Sequence, residues 1–140
     1  MQKTSNLNAN PSSVNYQPRA KLSDKELVLL DWCQKNLSTE ITVLAESRQD
    51  GIMMADIFCD GHFVEFKTTS GNLTTLDALI RHAAKQAHGD CAIVNLRGVS
   101  YSLEDAIQVA TRRMQRSGLA HVYLLQDNVL AIHLYQKKGE

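Results

Sequence analysis

The stretch Ala55-Asp56-Ile57-Phe58-Cys59-Asp60-Gly61-His62-Phe63-Val64-Glu65-Phe66-Lys67 decides how this chain folds. Asp60-Gly61 is a strong two-residue hairpin signal, because both central residues of a type I′ turn need positive φ. The flanks Ile57-Phe58-Cys59 and His62-Phe63-Val64 are apolar and strand-prone. A two-residue turn sets the register, so Cys59 faces His62, Ile57 faces Val64 and Asp56 faces Glu65. Side chains alternate along a strand, which puts Glu65 and Lys67 on one face. Asp56 then lies across from Glu65 on that face, with Cβ atoms about 5 Å apart. Two opposed carboxylates repel one another, and a cation between them removes that cost. Hard divalent cations prefer such oxygen donors. The bland alternative is a solvated hairpin face on which Glu65 and Lys67 form an ion pair worth less than about 1 kcal/mol.

Outward from the hairpin, the elements alternate. Ser23 with Glu26 three residues on makes a capping box, which opens a helix over about 24–36. Leu27, Leu30, Cys33 and Leu37 recur at helical spacing, with Leu29 and Trp32 broadening the stripe. Ile41 to Ala45 alternates and reads as a strand, and 47–51 as a polar loop. The hairpin strands run over 53–59 and 62–68. Thr74 or Thr75 caps a second helix that reaches about His88 and is closed by Gly89. Its stripe is Leu76, Leu79, Ile80, Ala83 and Ala87. Cys91 to Leu96 suits a buried strand. Ser102 with Asp105 opens a third helix ending at Gly118, with Ile107, Ala110 and Met114 as its buried side. A last hairpin runs over 120–125 and 129–134 around Asp127-Asn128. The order is α-β-β-β-α-β-α-β-β. It predicts an α/β (α+β) fold with one mixed β-sheet and flanking helices. No repeat or linker divides the chain, so residues 21–140 are expected to form one domain behind a flexible polar tail over 1–20.

Composition narrows the functions. The chain has 140 residues and a formal net charge of zero, so any contact with nucleic acid must be local. No apolar run approaches the roughly 20 residues that cross a bilayer, and the N-terminus carries no signal-peptide pattern. Cys33, Cys59 and Cys91 fit neither a disulfide framework nor a zinc site and read as buried thiols, suited to a reducing cytoplasm. Of the five histidines, none forms a pair with a metal-binding spacing.

Asp56 followed by Glu65-Phe66-Lys67 resembles the motif of the PD-(D/E)xK nuclease superfamily, with Ala55 where the motif has proline. The core order of that family, αβββαβ, matches residues from about 22 to 97. The run from Asp56 to Ser70, with Lys85-Gln86-Ala87 and Ile93-Val94-Asn95-Leu96, looks like the C-terminal nuclease domains of contact-dependent growth-inhibition toxins. Members of that group cleave tRNA or DNA. The resemblance implies a metal-dependent nuclease with Asp56 and Glu65 as ligands for Mg²⁺ or Mn²⁺ (Zn²⁺ being a further option) and Lys67 as the catalytic lysine. It implies tRNA as the favoured substrate, with DNA as the alternative, and an immunity protein as partner if the chain is a toxin. A DNase of the same fold from a mobile element, or an inactive nuclease fold used as a binding module, are the rival functions.

Further residues are weighed against simpler roles. Glu26 is either a third metal ligand, as the resemblance implies, or only the reciprocal half of its capping box. Glu46 is a weaker candidate for the same role. Thr68 and Thr69 could hold a phosphate, or use their hydroxyls to shape the next helix start. Gln86 could orient substrate, and Lys85 suits the negative end of its helix. Arg112, Arg113 and Arg116 give the third helix a basic side, either solvated or placed for phosphate contacts.

Overall fold

A computed structural model describes residues 13–37, 40–45, 54–126 and 130–137. Among the described residues, seven strands form a single mixed sheet, and three helices pack on it. In chain order the strands are β1 (Ser13–Tyr16), β2 (Glu40–Val43), β3 (Ile57–Cys59), β4 (His62–Thr69), β5 (Cys91–Leu96), β6 (His121–Gln126) and β7 (Leu130–Tyr135). The helices are α1 (Asp24–Asn36), α2 (Leu73–Gln86) and α3 (Leu103–Ser117). Strand order across the sheet follows chain order. β1–β2, β4–β5 and β5–β6 are parallel, whereas β2–β3, β3–β4 and β6–β7 are antiparallel.

The central hairpin has the register the Asp-Gly turn predicts. Ile57 pairs with Val64, Phe58 with Phe63 and Cys59 with His62. Asp60 and Gly61 have φ values of +51° and +79°, as a type I′ turn requires. Helix α1 starts at the predicted box: Ser23 Oγ accepts from the Glu26 N–H, and Glu26 Oε1 accepts from the Ser23 N–H. Helix α3 is capped by Ser102 and stops at Gly118, whose φ of +74° is the left-handed conformation glycine takes without strain.

Each face of the sheet carries its own apolar layer. On one, Ile41, Val43, Ile57, Val64, Phe66 and Ile93 pack beneath Leu29, Leu30, Trp32 and Cys33 of α1. On the other, Ala92, Val94, Val122 and Leu124 pack beneath α2 and α3. The three thiols are free and buried, and burial pushes the Cys59 thiol up to about 11.

Several expectations are corrected. Residues 13–16, read as tail, form an edge strand; Val14 packs on the α1 layer, and Ala45 N–H donates to the Gln17 side chain. The α1 stripe is rotated: Leu27 is exposed and Leu29 is fully buried. Helix α2 is capped by Asn72, not by Thr74 or Thr75, because its Oδ1 accepts from both the Thr75 N–H and the Thr75 hydroxyl. Strand β3 is shorter than expected at its start. Glu46, the 47–51 loop and the turn at 127–128 lie outside the described residues.

Candidate active site

The register carries Asp56 and Glu65 to the same face of the sheet. Ile57 and Val64 point into the α1 layer, so Asp56 before Ile57 and Glu65 after Val64 point the other way, toward the α2–α3 side. Asp56 extends the ladder by one residue: its N–H donates to Val64 O at 3.1 Å, and its carbonyl accepts from Leu44 N–H. Its Oδ2 accepts from the Phe66 N–H at 2.8 Å, which locks the carboxyl against β4. Lys67 follows on the same face as Glu65, and its Nζ lies 3.2 Å from Glu65 Oε2.

This is no solvated surface pair. Glu65 is only 4% exposed, and the Lys67 side chain 18%. Burial raises the pKa of both carboxyl groups. Asp56 is pushed up to about 9, first by desolvation and then by the charge of Glu65, against the lowering effect of the Phe66 N–H. Glu65 is raised by desolvation, with Lys67 pulling the other way. When both are ionised, neither carboxylate can donate to the other. Glu65 Oε1 then lies buried with no hydrogen-bond partner among the described residues. An unsatisfied buried carboxylate oxygen is costly. A shared proton or a cation between the two groups removes that cost.

The remaining predicted residues divide. Glu26 is turned to its own helix terminus through Oε1, and its charge reaches Asp56 and Glu65 only as a minor repulsion. We expect Glu26→Gln to keep the cap, because an amide oxygen accepts the Ser23 N–H equally well. Thermal unfolding should then move by less than about 2 °C, on the order of 0.5 kcal/mol. A larger loss would mean that the negative charge itself holds the helix. Thr69 lies on the Glu65 face, but its Oγ1 is used to accept the Gly71 N–H; Thr68 points to the opposite face. Gln86 ends α2 with a buried side-chain oxygen that has no hydrogen-bond partner among the described residues, whereas Lys85 is exposed.

The three arginines line a groove of about 290 Å³ between α2 and α3, with Leu73, Thr74, Asp77 and Val109. Arg113 is committed there in a two-pronged pair with Asp77, Nε–Oδ1 2.9 Å and Nη2–Oδ2 2.8 Å. That hydrogen-bonded guanidinium holds the Asp77 carboxyl below its ordinary range. Arg112 and Arg116 are exposed.

Sequence reading missed two clusters. On the opposite sheet face, His62 Nδ1 lies 2.8 Å from Asp90 Oδ1, and His121 Nδ1 lies 3.0 Å from His133 Nε2. The first pair joins residues 28 positions apart and the second joins residues 12 apart on the two strands of the last hairpin, so neither follows from metal-type spacing. Phe58, Phe63 and His88 form an aromatic group on the carboxylate face. The hairpin register already implied the Phe58–Phe63 half of it.

Among the described residues, no group of three or more His, Cys, Asp and Glu side chains is arranged to hold a metal ion. Asp56 and Glu65 offer a two-carboxylate arrangement in which a cation could take the place of a shared proton. That fits Mg²⁺, which is commonly held by one or two carboxylates together with waters and substrate phosphates rather than by an all-protein cage. No helix among the described residues is long and apolar enough to cross a membrane. Comparison with protein-family models, curated proteins and solved structures returned no match.

Proposed function

We propose that this chain is a metal-dependent nuclease that hydrolyses phosphodiester bonds at Asp56, Glu65 and Lys67, on a PD-(D/E)xK-like core, and that its preferred substrate is RNA of the tRNA type. The observation that carries the reading is the pairing of half-buried Asp56 with buried Glu65, both carboxyl groups raised in pKa, and Lys67 3.2 Å from Glu65. A fold gains little from burying two like charges together, whereas active sites commonly show such shifted groups. The element order from α1 to β5 also follows the αβββαβ core.

Asp56 and Glu65 would hold the divalent cation. When bound, the cation polarises the phosphate and makes attacking water more acidic. The protein's own residues supply the rest. The Phe66 N–H fixes the Asp56 carboxyl, so that donor is aimed before substrate arrives. Lys67, drawn toward Glu65, presents a cation at the same edge, where it can orient water and stabilise charge developing on the phosphate. The exposed Arg112 and Arg116 offer phosphate contacts away from the reacting centre.

The RNA preference follows from charge and from the toxin-like resemblance. Duplex DNA binding rests on neutralising many phosphates, and this chain carries no net charge. A folded RNA can be held by shape and a few local contacts. Cleavage of total tRNA and of linear duplex DNA should be compared at matched salt with Mg²⁺, Mn²⁺ or a chelator. We expect tRNA to be cut only when metal is present. Rapid DNA degradation with tRNA left intact would replace the RNase reading with a DNase on the same fold.

A further inference from the structure

We propose that Phe58, Phe63 and His88 form a stacking platform for one unpaired nucleobase beside the scissile phosphodiester, so that the substrate is cut in a single-stranded or looped segment. This rests on the nuclease reading of Asp56, Glu65 and Lys67. It adds how substrate is selected.

The hairpin places the platform. Phe58 and Phe63 are cross-strand partners. Phe58 lies two residues beyond Asp56, and Phe63 two residues before Glu65, so all four side chains leave the same face of the sheet. Same-face neighbours on a strand are about 7 Å apart, so the aromatic pair and the carboxyl pair form adjoining rows.

These rings are not spent on the core. Neither apolar layer includes Phe58 or Phe63. Phe58 is 37% exposed, one of five exposed large apolar side chains among the described residues. The rings are nevertheless ordered among themselves. Phe58 and Phe63 meet edge to face at 5.1 Å, and Phe63 meets His88 in the same way at 5.1 Å. His88 takes a φ of +53° where α2 ends. An organised aromatic group that remains partly open, continuous with a phosphate-handling site, suits a flat π-surface from that same substrate.

A nucleobase is the occupant that this continuity selects. Bases stack on aromatic side chains whatever their sequence, because each presents a π-face. In a duplex those faces are covered by neighbouring pairs. Only unpaired bases in loops, bulges or ends can swing out onto a protein ring. The platform therefore discriminates by pairing state and not by base identity.

The test uses an RNA hairpin with 2-aminopurine at one unpaired loop position, and its fully paired counterpart. Binding is measured with the full chain carrying Lys67→Ala, to block cleavage. The loop probe should be quenched on binding and the paired one should not. Adding Phe58→Ala should abolish the quench and weaken binding about tenfold or more, whereas Phe58→Trp should keep both. In the otherwise unaltered protein, Phe58→Ala should raise KM by a similar factor and leave kcat within about threefold. Thermal unfolding of the Phe58 variants checks that they are folded. Quench without any cleavage by the unaltered protein would support the platform and remove the nuclease reading. Normal cleavage indifferent to Phe58→Ala would leave the nuclease reading and overturn the platform. Loss of self-association in Phe58→Ala, with KM intact, would overturn it in favour of a protein contact.

Discussion

Lys67→Ala should slow phosphodiester cleavage by about a hundred- to a thousandfold, while leaving the protein folded. The lysine lies beside the carboxyl pair, its side chain mostly buried at 18% exposure and its Nζ 3.2 Å from Glu65 Oε2. On the proposed reading its removal takes away a cation beside the reacting phosphate, and losing one preorganised electrostatic contact of this kind costs on the order of a hundred to a thousandfold. Asp56→Ala and Glu65→Ala should have comparable effects, because on the proposed reading the two carboxyl groups would hold one metal together. Residues that act as a unit are strongly non-additive, so the triple variant should be scarcely worse than the worst single one. The measurement is initial-rate cleavage of tRNA with saturating Mg²⁺, alongside circular dichroism to establish folding. Near-normal rates in all three single variants would mean that the chemistry occurs elsewhere. Multiplying effects in the triple variant would mean that the three residues act independently.

How much of this was legible in the sequence depends on how locally each feature is specified. The hairpin register was readable, since a two-residue Asp60-Gly61 turn allows only one register and that register fixes the face of every following side chain; the length of β3 was not. Helices α1 and α3 were equally plain, because serine caps and a terminal glycine act within four residues of their own positions. The cap of α2 was misplaced by two residues or more. Asn72, Thr74 and Thr75 are all competent caps, and the choice rests on the loop leaving β4. Strand β1 was invisible. Ser13-Val14-Asn15-Tyr16 has only two apolar residues, and its strand form depends on a partner at 40–43. The Arg113–Asp77 pair joins two helices across 36 positions, so a basic helix face was readable but the engagement of its middle arginine was not. Most important for function, sequence could put two carboxylates opposite each other. It could not say whether they would be buried or whether every oxygen would find a donor.

That burial leads to the second large effect, on stability. The metal-free protein should lose stability as pH rises from about 4 to about 9. The direction follows from linkage. The Asp56 carboxyl has an ordinary value of 3.8 and is raised to about 9 in the folded protein. Between those values the folded state keeps a proton that the unfolded chain has released. Folding is then favoured by lower pH, and stability falls as pH climbs through the window. Glu65, raised in the same direction, adds to the trend. Asp56→Asn removes the titrating group and keeps an acceptor for the Phe66 N–H. It should stabilise the metal-free protein at pH 8 by about 2 kcal/mol, equivalent to about 5 °C in Tm, and flatten the pH dependence. Below about pH 4 Asp56 is protonated in both states, so the advantage should vanish there. Mg²⁺ or Mn²⁺ should offset the loss in the unaltered protein by binding the ionised pair, and should do far less for Asp56→Asn. Thermal unfolding from pH 4 to 9, with and without metal, measures all of this. A flat Tm profile for the unaltered metal-free protein would show that the pair is solvated and ionised without strain. An equal decline in Asp56→Asn would assign the pH dependence to other groups. On the proposed reading, the carboxyl groups that would serve catalysis are the ones the folded chain holds at a cost.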